Sequence, residues 1–282
     1  MIADQQDYIT PHITDSHAID YPCLKQGFVC EHALPRWNPI HIGHFAIDIS
    51  PTKHVVMLWT AGLLCLLFTL LALRAHTRRA ESGRAPGGLG NGFEAIVLWL
   101  RNEIILPNVG PHGNAYVPFV LTLFFFVLFA NLLGLVPYGS TATGNISVTA
   151  TLAAVTFVVV EVAGMKALGK AYINTIIFWP PEMSLPMKIF ISPILTPIEI
   201  IGKLTKPFAL AVRLFANMTA GHVVLLALIS LIFTFGSYFL VPLPLIMALG
   251  ISLIELFVAL LQAFIFALLS AVFIGLIRVG AH

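Results

Sequence analysis

Seven ionisable residues lie within apolar stretches of this chain: Glu161, Glu199, Lys203, Lys206, Arg213, His222 and Glu255. A charge in hydrocarbon costs about 3 kcal/mol on insertion scales, so each is a functional candidate by default. Five of the seven fall in one segment, Glu199 to His222, and Glu255 lies in the next apolar stretch. At about 100° per residue, Glu199, Lys206, Arg213 and Asn217 share a helix face within roughly 40°, with Lys203 at its edge. Lys203 and Lys206 have two readings, members of that polar face or side chains snorkelling to the inner interface.

Arg213 follows ALAV and precedes LFANM, a depth that argues against snorkelling. An arginine does not relay protons, because its pKa stays above about 12. Its fixed charge favours the ionised form of any carboxylate brought within a few ångström and repels protons trying to pass. The structural alternative is an arginine satisfied by backbone carbonyls.

Glu255 and Gln262 are seven residues apart and so lie on one helix face. In an antiparallel hairpin, pairing Arg213 with Gln262 and His222 with Glu255 requires nearly the same register, with the turn near residue 238. A titratable His and Glu in one layer, nearer the outside than Arg213, suit uptake and release of protons. His222 is nine residues from Arg213 and hence half-way round the helix. The outer layer and the inner stripe then open on different faces, as two offset half-paths and not one pore. The chain has no carboxylate that meets Arg213 and then moves away, so this chemistry asks for a partner subunit. No metal site or cofactor is indicated.

The elements that must position these residues are membrane spans. Of 282 residues, 58% are hydrophobic and 10% charged, with mean hydropathy +0.92, against about a quarter charged in soluble domains. The net charge of +2 is too small to suggest a nucleic-acid partner. No signal peptide is read at the acidic, polar N-terminus, and the first apolar run begins at Val55. Residues 1–54 are expected to be an outside-facing polar arm and 55–282 the membrane domain. Cys65 lies in an apolar run, where it packs. Cys23 and Cys30, in the arm, have two open readings, a disulfide or two thiols.

A bilayer core about 30 Å thick takes roughly 20 apolar residues in a helix. Spans are expected at about 55–73, 115–136 and 146–164, and two longer ones at 187–230 and 240–277. The last two are about twice too long for an upright crossing. Either Pro193, Pro197 and Pro207 break them, or they form a long tilted hairpin turning at FGSYFLVPLP, which is the preferred reading. In Gly92 to Leu106, Phe93, Ile96, Val97, Leu100 and Ile104 share one face, with Glu94 and Arg101 away from it. That segment is either an interfacial amphipathic helix or a packed connecting helix.

Basic residues set the orientation. The arm carries Asp4, Asp7, Asp15, Asp20, Glu31 and Asp48 against Lys25, Arg36 and Lys53, whereas Arg74, Arg78, Arg79 and Arg84 follow the first span. Lys166, Lys170 and Lys188 follow the third span, and Arg278 lies near the C-terminus. The expected topology is N-terminus outside and C-terminus inside. The fold class is an all-α integral membrane protein with five transmembrane helices plus one interfacial amphipathic helix. Glu161, near the inner end of its span, is expected to pair with Lys166 or face the inner exit.

The motif KPFALAVRLFANMTAGH, with LLQAFIFALL and FANLLGLVPY, resembles subunit a of the ATP synthase membrane sector. The resemblance covers roughly residues 40–280 and implies a stator subunit with two proton half-channels beside a rotating ring of c subunits. By the resemblance, Arg213 is the essential arginine facing the ring carboxylate. Asn217, His222, Glu255 and Gln262 match the outer half-channel and Glu199 the inner one. Partners implied are the c-subunit ring, peripheral-stalk b subunits, other ATP synthase subunits and the lipid bilayer. His222 and Glu255 are exchanged relative to many bacterial members, which leaves the order of proton transfer open. The acidic arm has no counterpart in the resemblance. The chain itself is not expected to be an enzyme, and a bacterial inner membrane is the expected location, with a mitochondrial inner membrane as the less favoured alternative.

Two other classes compete. A secondary transporter predicts an internal repeat with matched broken helices, and the Arg213 segment has no repeat in the first half. An intramembrane enzyme needs paired Asp, a Ser dyad or HExxH; no HExxH occurs and no Asp lies in a span.

Overall fold

The structure, a computed structural model, describes residues 14–23, 28–42, 45–48, 50–81, 89–136, 139–177, 185–235 and 241–279. Asp4, Asp7, Lys25, Arg84 and the centre of the expected hairpin turn, 236–240, lie outside the described residues. The main helices are α1 (Lys53–Glu81), α2 (Leu89–Trp99), α3 (Val117–Gly134), α4 (Ile146–Leu168), α5 (Leu185–Phe235) and α6 (Pro242–Val279). Among the described residues, five helical stretches are long and apolar enough to cross a membrane: Lys53–Arg74, Gly113–Gly134, Ile146–Ile173, Phe190–Ile232 and Pro242–Arg278. The chain is thus an all-α integral membrane protein with five candidate spans.

The choice between broken and unbroken long segments is settled in favour of unbroken helices. Pro193, Pro197 and Pro207 all sit inside α5, a continuous helix of 51 residues. Each proline removes one backbone donor and so frees the carbonyl four residues before it, that of Lys203 in the case of Pro207. Such prolines are tolerated in membrane helices because side-chain hydroxyls and local adjustment re-satisfy the freed groups. At 1.5 Å per residue α5 runs about 75 Å, so it crosses an apolar layer of about 30 Å only when tilted.

The helices divide between two compact units, with the boundaries inside α1, α3, α4, α5 and α6. The first unit holds the N-terminal arm and α1 to Phe68, then Phe126–Val148 and Leu214–Gln262. In the arm, strands β1 (Ala18–Cys23) and β2 (Phe28–Ala33) pair antiparallel. Strands β3 (Ile40–Ile42) and β4 (Phe45–Ile47) form a second hairpin. The register sets Cys30 opposite Tyr21 and Cys23 opposite Phe28, so the two cysteines are not rung partners. The arm caps the first span: the Lys53 N–H donates to Ser16 O at 2.8 Å and the His54 N–H to Asp15 Oδ1 at 3.1 Å. A carboxylate at the positive end of a helix is favourable.

The connection between α3 and α4, read from the sequence as a turn, is folded inward in this unit. Ser140, Thr141, Ala142 and Thr143 are all buried, and Ala142–Gly144 forms a 3₁₀ turn. Irregular backbone at membrane depth survives only where protein covers it.

The second unit holds Thr69–Phe125, Thr149–Arg213 and the part of α6 from Ala263 on. Helix α4 buries Thr149, Ala153, Thr156, Val160, Ala163 and Gly164, a three-and-four spacing of mostly small residues. Small residues on one stripe let helix backbones approach, which replaces the hydrophobic drive that lipid does not supply. Helix α6 does the same with Ala263, Ala267, Ser270 and Ala271.

The segment expected as an amphipathic helix over Gly92 to Leu106 is helical, but its buried face differs. A π-helical turn, Leu100–Ile105, follows α2, and Leu106–Val109 closes it. Leu100, Ile105 and Val109 are buried, at spacings of five and four, while Ile96 is exposed. A π turn advances the chain by one extra residue and so rotates the face that the regular 3.6 period predicts. Arg278 fastens the end of this segment, donating to Val109 O at 2.8 Å and Pro111 O at 2.6 Å. At Gly275 any side chain would collide with the Asn108 carbonyl, so only glycine permits this contact.

Candidate functional site

In the first unit, α5 and α6 bring His222 and Glu255 together. His222 Nε2 lies 3.6 Å from Glu255 Oε1. The expected level pairing of these two is what the structure shows. Glu255 is 4% exposed, and its carboxyl rests on the bare backbone of Gly221: a Cβ there would be 2.8 Å from Oε1. Two turns along α6, Gln262 Oε1 accepts a hydrogen bond from Asn217 Nδ2 at 3.0 Å. The partner that Gln262 finds is therefore Asn217, one turn beyond Arg213 along α5. The hairpin midpoint implied by either pair falls between Phe235 and Pro242, where the helices end.

The inward loop supplies what the sequence reading missed. Thr141 Oγ1 is in hydrogen-bond contact with His222 Nε2. Thr143 Oγ1 donates to Asn131 Oδ1 at 2.8 Å, and Asn131 Nδ2 donates to the Ala259 carbonyl at 3.3 Å. Asn131, fully buried on α3, thus ties the loop to α6. The signal in the sequence is Asn131 itself, an uncharged polar residue in the middle of the apolar FANLLG. Buried amides are expected to be fully partnered, because each missing bond costs about 1–3 kcal/mol.

In the second unit, Glu199, Glu161, Lys203 and Lys206 line one cavity of about 80 Å³, with Thr156, Thr175 and the apolar Phe273 and Leu276. That volume is several times what one water requires. Lys203 does not snorkel. Its Nζ lies 3.5 Å from Glu161 Oε2, donates to Thr175 Oγ1 at 3.1 Å and sits over the Tyr172 ring. Glu161 therefore pairs with Lys203 and not with Lys166, because Lys166 is on the exposed side of α4 while Glu161 turns to the cavity. Lys206 Nζ lies 5.8 Å from the centroid of the Phe273 ring, a cation–π arrangement.

Arg213 is the last residue of the second unit along α5. It is exposed, and among the described residues it makes no hydrogen bond or ion pair. The structural alternative, an arginine held by backbone carbonyls, is therefore not what its surroundings provide. Asn217 is also exposed on α5. Among the described residues, no group of three or more His, Cys, Asp or Glu is arranged to hold a metal ion.

Five apolar helices with ionisable residues paired between them define a multi-pass membrane protein with polar sites inside its spans. The family described as ATP synthase A chain matches residues 55–275. ATP synthase subunit a 2 of Chlorobium luteolum is 45% identical over 275 residues, 96% of this chain and 75% of that protein. ATP synthase subunit a of Chloroherpeton thalassium is 43% identical over 265 residues, 94% of this chain and 74% of that protein. ATP synthase subunit a of Anaeromyxobacter dehalogenans is 42% identical over 269 residues, 94% of this chain and 68% of that protein. The chain belongs to the ATP synthase A chain family. A match over 96% of the chain also takes in most of the arm that the resemblance left unassigned.

Proposed function

We propose that the chain conducts protons as the stator subunit of a rotary ATP synthase, with Arg213 separating an outer and an inner half-path. The observation that carries this reading is an exposed arginine inside a membrane-spanning helix, without a partner among the described residues. A charge there is costly unless something outside the chain neutralises it. The partner it fits is a carboxylate carried by a separate, moving subunit, a ring of c subunits. Beside Arg213 that carboxylate ionises; away from it, in the lipid, it is neutral.

His222 and Glu255, with Asn217 and Gln262 beyond them, supply protons to the carboxylate from outside. The cavity holding Glu199 receives them on the inner side. Each charge crossing gains about 2.3 kcal/mol per 100 mV, which drives the ring past Arg213. The remaining partners are the peripheral-stalk b subunits and other subunits of the complex, in a bacterial inner membrane. The transporter reading lacks any comparable support.

The test is ATP-driven pumping by vesicles holding the assembled complex with Arg213→Ala. Loss of pumping with assembly intact, and a passive proton leak, is the expected result. Normal pumping would refute the gate.

A further inference from the structure

The arm's contact with the first span contains a proton-binding arrangement that helix capping alone does not require. Asp15 Oδ1 accepts the His54 N–H and also lies 3.4 Å from His54 Nδ1. Asn145 Nδ2 lies 3.3 Å from the same ring nitrogen and 3.5 Å from Asp15 Oδ2. The amide's orientation is set independently, because Asn145 Oδ1 accepts the Ser147 N–H at 2.9 Å. Its NH₂ therefore faces the imidazole.

His54 Nδ1 thus has two partners of opposite kind. When the ring nitrogen is bare it accepts from the Asn145 amide. When it is protonated it donates to the Asp15 carboxylate. Both protonation states are satisfied at a site where His54 is 3% exposed, which is what a group that loads and unloads a proton needs. Among the described residues, the other charge acting on it is Lys53, its neighbour on α1.

The same loop joins this pair to the outer polar layer. Asn145 and Thr141 stand at the two ends of the single 3₁₀ turn Ala142–Gly144. The Gly144 N–H donates to Thr141 O at 2.9 Å and the Asn145 N–H to Ala142 O at 3.2 Å. Thr141 in turn contacts His222. At about 2 Å rise per residue the turn spans roughly 8 Å, a distance that about two waters bridge.

We propose that Asp15 and His54 form the outer mouth of the proton path, collecting protons and delivering them to His222 past the Asn145–Thr141 turn. Asp15 takes a proton from the medium and passes it to His54 Nδ1, which returns Asp15 to the carboxylate. The imidazolium then passes that same Nδ1 proton on to a water beside Asn145 and is again neutral, with Nδ1 bare for the next proton. Nothing is oxidised or reduced. This role rests on the proton-conducting reading above.

The test uses the whole complex in liposomes, oriented so that the lumen faces the outer mouth. ATP synthesis is measured at constant total driving force while lumenal pH is stepped from acid to alkaline. Asp15→Asn keeps a helix-capping side chain but no longer binds a proton. His54→Gln keeps a polar side chain in place of the ring and does not titrate. Both are expected to run near the wild-type rate in an acid lumen, where protons reach His222 directly. Both should be slower by about tenfold to a hundredfold in an alkaline lumen, reaching at most the low end of what a positioned proton-transfer group contributes.

Wild-type rates at every pH, or a loss of the same factor at every pH, would overturn the proposal and leave Asp15 as a helix cap. Arg213→Ala, run beside them, distinguishes the two ideas. If it stops synthesis at all pH values while Asp15→Asn behaves as wild type, only the mouth is refuted. If it synthesises ATP normally, the parent reading fails first.

Discussion

Glu255 sits against the bare backbone of Gly221, and its carboxyl oxygen is 3.6 Å from His222, the residue that follows that glycine. The absence of one side chain therefore decides where the carboxylate of the outer layer lies. In Gly221→Ala the new methyl would fall 2.8 Å from Oε1 and 2.9 Å from Cδ. The carboxyl is the movable end of a flexible side chain, so it swings aside at little cost in stability, but in doing so it moves from its partner. Pumping should fall about tenfold with assembly retained, since about 1.4 kcal/mol is a factor of ten. An unchanged rate would show that the position of Glu255 is unimportant.

Asn217 and Gln262 form a direct amide pair. A double-mutant cycle with Asn217→Ala and Gln262→Ala, read by thermal unfolding in detergent, should give a coupling of about 0.5–1.5 kcal/mol. Simple additivity would mean that the pair is not formed in the protein. Arg213→Ala paired with Gln262→Ala in the same assay tests whether the arginine couples to this layer.

Lys203 and Glu161 are both largely withdrawn from water. Lys203→Met alone leaves a carboxylate in the cavity without its cation and should destabilise by about 3 kcal/mol, the low end for a broken buried pair. The double variant with Glu161→Gln should recover much of that loss. A double variant no better than the single one would contradict the ion pair.

Asn131 bonds both Thr143 and the Ala259 carbonyl. Asn131→Leu strands two buried polar groups and should cost about 2–6 kcal/mol, at about 1–3 for each group. Because the same loop carries Thr141 to His222, pumping should fall as well. Thr143→Val serves as the milder comparison, with one group lost.

Gly275 meets backbone and not a movable side chain: an added methyl would run into the carbonyl of Asn108. Gly275→Ala should therefore reduce stability by about 3 kcal/mol, the upper part of the overpacking range. The expected reading is a lower unfolding temperature in detergent and less assembled complex in membranes. Gly250→Ala, at a position with open space, is the control and should be neutral.

Five spans, two of them overlong, were legible because hydrocarbon thickness and helix rise turn apolar length directly into architecture. The His222–Glu255 layer was legible for a related reason. Helical periodicity and an antiparallel register leave few ways to pair four polar residues on two helices. The Arg213 motif was strong enough to indicate the family unaided. What lay beyond reach was anything that depends on distant chain folding back. The Glu161–Lys203 pair joins helices separated by a loop whose path no local rule sets. The inward loop at 139–145 reads as an ordinary turn, because serine, threonine and glycine favour turns whether exposed or buried. The π turn after Trp99 shifted a buried face that a regular period had predicted.

The sequence by itself determined that this is a membrane protein, which stretches are long and apolar enough to cross, and which side chains carry charge into them. These follow from composition and period, which are local and additive. Only the tertiary structure decided which of those side chains meet: Asn217 with Gln262, Lys203 with Glu161, Asn131 with the loop, and Asp15 of the arm with His54. The reason is energetic. A buried polar group must find a partner wherever the packed helices bring one, and that choice is made by the whole fold and not by any segment of it.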